Sequence, residues 1–193
     1  KVIQDPSLNA FALAQGRIYI HTGILAAAEN EAQLAALLSH EMTHVIHRHT
    51  LKQFRSLINK SAFFSTIEMP LAVAGGDLGL ILGQLTMVSS IYGFSKEMEF
   101  EADHEGFEMM LRNGYDVSQA PKLFQHLKEF IEDEEIKEPF FFSTHPRVTE
   151  RIKSFNDLAE EKGQQKEKQP KIGEEIYTRL TQELIVDNFR LAL

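Results

Sequence analysis

His40-Glu41-Met42-Thr43-His44 lies inside the run Glu31 to Phe54, and the reading of that run decides the fold. Neither Pro nor Gly interrupts it. Leu34, Leu38, Val45 and Ile46, with Ala35 and Met42, form an apolar stripe at helical spacing, which predicts one helix over the whole run. Glu29 and Glu31 stand at its start and Arg48, Lys52 and Arg55 at its end, the polarity a helix dipole favours. Residues four apart on a helix share a face one turn apart, so His40 and His44 can grip one metal ion together. Glu41, on the adjoining flank, can reach a water bound to that metal. This is the H-E-x-x-H pattern of many zinc proteases. The chain has 8 His in 193 residues, and its composition matches the pattern by chance about 0.04 times. The decision therefore rests on a third ligand elsewhere.

Glu97, Glu99 and Glu101 crowd a second helical run, Lys96 to Asn113. Glu99 and Asp103 are four apart and share a face. With Glu99 as a metal carboxylate, Asp103 can hydrogen-bond the outer nitrogen of a ligating His and fix its tautomer. By charge density alone the stretch reads as an acidic solvent face; beside an H-E-x-x-H helix it reads as the other half of a site. His145 precedes Pro146, which holds it extended. Neutral imidazole is a ready zinc ligand, so His145 is a candidate fourth ligand that would shut out water and leave the enzyme latent. The competing reading is a structural His at a helix start. His47 and His49, by helical position, are structural or solvent-facing.

The rest of the chain frames these runs. Val2 to Thr22 predicts a hairpin, with Gln15-Gly16 at the turn and Arg17 to His21 as a strand, followed by a short helix near Ile24 to Ala28. Ser61 to Ser95 is apolar and Gly-punctuated, which predicts a buried helix or a cover hinged at Gly75-Gly76, with membrane contact as the alternative. Further helices are expected over Gln119 to Glu132, over Arg147 to Glu161 with Val148, Ile152, Phe155 and Leu158 inward, and over Glu174 to Leu191 with Ile176, Leu180, Leu184 and Ile185. A charged stretch near 160–175 reads as linker. The division expected is a metallopeptidase domain over 1–162, then a linker and C-terminal helix over 163–193.

Net charge of −8 and the lack of a basic cluster argue against a nucleic-acid partner. With no Cys, a metal must be held by His and carboxylates, which suits zinc with an open position. The first residue is Lys1, which fits a processed chain.

Asn9-Ala10-Phe11-Ala12, His40 to His44, Arg48-His49 and Glu99 to Asp103, in that order, resemble peptidase family M48, which includes HtpX, the CAAX prenyl proteases and the soluble periplasmic BepA-like enzymes. Asn113-Gly114-Tyr115-Asp116, Ser143-Thr144-His145-Pro146 and Arg151-Ile152 point to the BepA-like branch. The resemblance spans Val2 to about Phe155 and leaves the tail after Lys162 uncovered. Lys96 departs from it, standing where many relatives have Arg.

The resemblance implies an α+β, predominantly helical gluzincin fold with a small sheet beside the motif helix. It implies one zinc ion held by His40, His44 and Glu99, Glu41 as catalytic base, and peptide substrates held extended on the hairpin edge. A zinc endopeptidase of misfolded or misassembled envelope proteins is the leading expectation, periplasmic or otherwise exported, with peripheral membrane or envelope-complex association compatible with it. The alternative is a chaperone-like or binding module whose zinc is fully coordinated. Retention of Glu41, which is not needed to hold metal, favours the enzyme.

Overall fold

The computed structural model describes residues 1–59, 93–133, 145, 147–162 and 170–191. Expectations for the segment from Ser61 to Ser95 fall outside these residues except at 93–95, and those for residues 163–169 fall outside them entirely. In chain order the described elements are β1 (Val2–Ile3), β2 (Ala10–Ala12), β3 (Ile18–His21), α1 (Thr22–Ala27), α2 (Glu31–Ile46), α3 (His49–Asn59), α4 (Lys96–Arg112), α5 (Gln119–Asp133), α6 (Val148–Lys162) and α7 (Glu174–Leu191). The fold is α+β and mainly helical, with one small sheet. No helix among the described residues is long and apolar enough to cross a membrane.

The expected hairpin is β2–β3. Leu13 N–H donates to the Arg17 carbonyl (2.8 Å) and Gly16 N–H to the Leu13 carbonyl (2.9 Å). Gly16 takes φ +85, a conformation that costs a side-chain-bearing residue more. β3 is central, antiparallel to β2 (Phe11 opposite Tyr19) and parallel to β1 (Val2 opposite Ile20). Among the described residues β2 is therefore a sheet edge.

α2 begins at Asn30, whose side chain accepts from Gln33 N–H. It does not continue to Phe54. It stops at Ile46, Arg48 takes a left-handed φ of 54, and α3 starts at His49. Nor is the apolar stripe its buried face. Met42 and Ile46 are exposed, while Ala36, Leu37, His40, Glu41 and His44 are buried. The helix turns its polar motif inward because α4 and the sheet edge supply partners for it.

The core gathers Ile24, Leu37, Phe107, Leu123, Phe124 and Phe155 from α1, α2, α4, α5 and α6. On α6 the inward stripe includes Arg151, buried beside Phe155 and Leu158. α7 is anchored by Tyr177, whose hydroxyl donates to the Leu25 carbonyl at 2.6 Å. The expected Ile176 and Leu180 instead face outward. Just before α7, the Ile172 carbonyl accepts from Ala32 N–H at the start of α2 (3.0 Å).

Candidate metal centre and active site

α2 and α4 pass closely because Gly106 sits at their crossing. A Cβ there would stand 3.2 Å from the His40 nitrogen and 3.2 Å from Ser39 Oγ. The approach lays the His40–His44 face of α2 against the Glu99–Asp103 face of α4, with all four residues buried. His145, also buried, completes the cluster. One ligand atom from each of His40, His44, Glu99 and His145 lies within 4.8 Å of the others. His40 Nε2 is 3.0 Å from His44 Nε2 and 3.1 Å from His145 Nδ1. Glu99 Oε1 is 3.0 Å from His145 Nδ1 and 3.5 Å from His44 Nε2. Ligands bonded at about 2.0–2.1 Å to a tetrahedral ion stand roughly 3.3–3.4 Å apart, so these spacings match a ligand shell.

Proton placement gives a second test of that fit. His40 Nδ1 is 2.9 Å from Asp103 Oδ1. That carboxyl resists the upward pull of burial and is held at about 2 by Arg151 and His40. Asp103 can only accept, so His40 Nδ1 carries the proton and Nε2 is bare. His49 Nε2 is 2.7 Å from Glu101 Oε2, and His49 Nδ1 is 2.8 Å from His44 Nδ1. Glu101 accepts from His49, so His49 Nδ1 accepts from His44 Nδ1–H, and His44 Nε2 is bare as well. Two lone pairs facing each other at 3.0 Å repel unless a cation sits between them. Glu41 Oε1 and Glu99 Oε2 are buried with no hydrogen-bond partner among the described residues. The donor set and its protons fit a metal ion.

The electrostatics agree. Burial, then Arg151, pull His40 down to about 4, against Asp103 and Glu99. Burial and the neighbouring imidazoles hold His44 well below its ordinary value. Both rings are thus neutral and able to ligate. Burial works to raise Glu99, but His145 and Arg151 outweigh it and keep the carboxyl ionised more readily than usual. Glu41 is the exception. Burial raises it to about 7, with His145 opposing and Glu99 adding.

Glu41 also faces the sheet edge. His21 N–H donates to the Asn9 carbonyl (2.9 Å), and Leu13 N–H to that of Arg17. Odd-numbered residues of the β2 strand therefore face β3, and Ala10 and Ala12 turn their backbone groups to the open edge. The backbone of Ala12 on that edge adds a small downward pull on the Glu41 carboxyl.

The residues read from the motifs, His40, Glu41, His44, Glu99, Asp103 and His145, thus meet at one place. Two contributors were missed. Arg151 clamps Asp103 with Nε (2.8 Å) and Nη2 (2.7 Å), and its guanidinium lies 4.4 Å from the Phe124 ring centre. Its signal was available, since position 151 falls on the same stripe as Val148, Phe155 and Leu158. Phe94 stacks on His44 at 4.1 Å, and nothing in the sequence marks it. His49 is fully buried against His44, as a structural residue.

His40, His44, Glu99 and His145 thus form a buried cluster that fits a metal ion, with the Glu41 carboxylate beside it. The chain belongs to peptidase family M48, whose profile matches residues 1–159. Over 160 residues it is 33% identical to the mitochondrial metalloendopeptidase OMA1 of Schizosaccharomyces pombe, covering 81% of this chain and 45% of that protein. Over 161 residues it is 29% identical to OMA1 of Arabidopsis thaliana, covering 79% and 30%. Over 158 residues it is 27% identical to the beta-barrel assembly-enhancing protease of Escherichia coli K12, covering 78% and 32%. The chain spans less than half the length of these relatives.

Proposed function

We propose that this chain is the catalytic domain of a zinc-dependent endopeptidase. His40, His44 and Glu99 hold the ion and Glu41 is the base. The single observation that carries this is the pair of Nε2 atoms 3.0 Å apart, each on a ring whose Nδ1 is engaged elsewhere, with the buried Glu41 carboxylate beside them. Zinc, when bound, polarises a peptide carbonyl and acidifies water. Asp103 and the His49–Glu101 pair hold the two imidazoles in the ligating tautomer, and Arg151 fixes Asp103. Glu41, raised to about 7 by burial, is tuned to take up a proton near neutrality and pass it to the leaving amine. An extended peptide pairs with the Ala10 and Ala12 backbone groups, which places its main chain rather than its side chains in register with Glu41.

Such binding is broad in sequence, which favours unfolded segments over folded ones. Together with the names of these relatives, this supports misassembled proteins of a bacterial envelope as substrates, and an exported or membrane-associated location. His145 is proposed as the fourth ligand at rest, since its Nδ1 lies 3.1 Å from His40 Nε2 while its Nε2 is 3.4 Å from Glu41 Oε1. Degradation of casein by zinc-loaded protein tests the activity. Wild type is expected to cleave it and Glu41→Gln to lose at least about a hundredfold of the rate, the usual share of general base catalysis, at unchanged zinc content. Equal rates remove Glu41 from the mechanism.

A further inference from the structure

A second cluster lies on the outer side of His44. Glu101 bridges two imidazoles, with Oε1 3.1 Å from His47 Nδ1 and Oε2 2.7 Å from His49 Nε2. One ligand atom from each of these three residues lies within 4.8 Å of the others. Glu105 Oε2 is 4.0 Å from His47 Nε2, and Lys52 Nζ is 3.9 Å from Glu101 Oε2. On an unbroken helix, residues two apart point to nearly opposite sides. Here the left-handed Arg48 separates α2 from α3 and turns His47 and His49 onto one carboxylate. The side chain of His47 is 25% exposed and that of Glu101 40%, so an ion can reach them from solvent. Two imidazoles and a carboxylate are a zinc-type donor set, and two carboxylates against one lysine leave the spot negative.

We propose that His47, His49 and Glu101 form a second, weaker zinc site whose occupation opposes that of the first. The antagonism follows from the proton chain. An ion on His49 Nε2 displaces the proton now given to Glu101. If that proton moves to His49 Nδ1, it meets the His44 Nδ1–H across 2.8 Å. His44 must then carry its proton on Nε2, the atom the first ion needs. If the proton leaves to solvent instead, His49 must bind as an imidazolate, and the cost of removing that proton near neutral pH lowers the affinity of the second site. Either way the two ions compete through one hydrogen bond, and the coupling is reciprocal.

Equilibrium dialysis of the metal-stripped chain against zinc, with elemental analysis, tests the site. Wild type is expected to take up two equivalents, the second more weakly, while His47→Ala and His47→Asn take up one. A single equivalent in wild type at saturating zinc, or two in both variants, overturns the proposal. In Glu99→Gln, which weakens the first site, zinc is expected to bind the second about tenfold more tightly, a typical size for coupled sites. An unchanged affinity overturns the antagonism. Excess zinc is expected to inhibit wild-type peptidase activity and to spare His47→Ala. That last comparison alone rests on the proposed peptidase activity, so a failure of that reading leaves the dialysis result standing.

Discussion

Glu41 is buried, His145 3.4 Å away offsets only part of the effect of that burial, and its position makes a measurable difference to stability. An unfolded glutamate ionises near 4.5, and burial raises the folded group to about 7. Between those values the unfolded chain gives up the proton while the folded chain keeps it. The metal-free protein therefore loses stability as pH rises through this window and changes little from this group above it. Urea melts of chelator-treated Glu41→Gln should show it more stable than wild type by up to about 3 kcal/mol near pH 8. The gap should close below pH 4.5, and equal stability at the higher pH would mean that Glu41 ionises normally in the fold. His145 supports a second residue-scale expectation. His145→Ala should keep its zinc on His40, His44 and Glu99 and cleave casein several-fold faster, because the water position opens. An unchanged rate, with unchanged cobalt absorption spectra, would end the idea of a latent resting state.

At the scale of elements, the crossing of α2 and α4 sets the site. Three proposed ligands, His40, His44 and Glu99, lie on the two helices, and Gly106 governs how closely these approach. Gly106→Ala gains about 1 kcal/mol of helix propensity, which offsets an overpacking cost of similar size. That variant should be nearly neutral. Gly106→Leu has no such offset, and about 3 kcal/mol of destabilisation is expected with zinc affinity reduced more than tenfold, read by thermal melts and dialysis. The elements themselves were largely legible: the hairpin turn at Gly16, α4 ending at Asn113-Gly114, and α6 and α7 all follow from turn residues and periodicity. The break at Arg48 was not, because no Gly or Pro marks it. It forms because His49 finds partners in His44 and Glu101, and those contacts exist only in the folded molecule.

Across the whole molecule, an ion bound at this cluster would tie together residues as distant in sequence as His40, Glu99 and His145. A ligand that binds only the folded state stabilises it by mass action, about 4 kcal/mol when free zinc is a thousandfold above its dissociation constant. For a chain of this size that corresponds to on the order of 10 °C. Chelation should lower the melting temperature by this much, zinc should restore it and magnesium should not. A melt indifferent to chelator would show that the cluster carries no ion.

The sequence by itself determined the candidates for the chemistry. H-E-x-x-H on a helix, a glutamate with an aspartate four residues on, and the resemblance to peptidase family M48 that they carry suggested a metal, a base and an orienting carboxylate, and spacing along one element needs no knowledge of packing. The tertiary structure decided which face of α2 turns inward, against the apolar stripe that Met42 and Ile46 suggested. It also decided that Arg151 and Phe94 join the site and that His47 and His49 share one carboxylate. Those outcomes depend on which groups meet across helices, where the cost of burying a polar side chain is offset only by a partner that another part of the chain supplies. The motif at His40 to His44 was legible because its partners are one turn away, and Glu99, Asp103 and His145 were legible through local patterns of their own; the roles of Arg151 and Phe94 were not, because their partners Asp103 and His44 are dozens of residues distant.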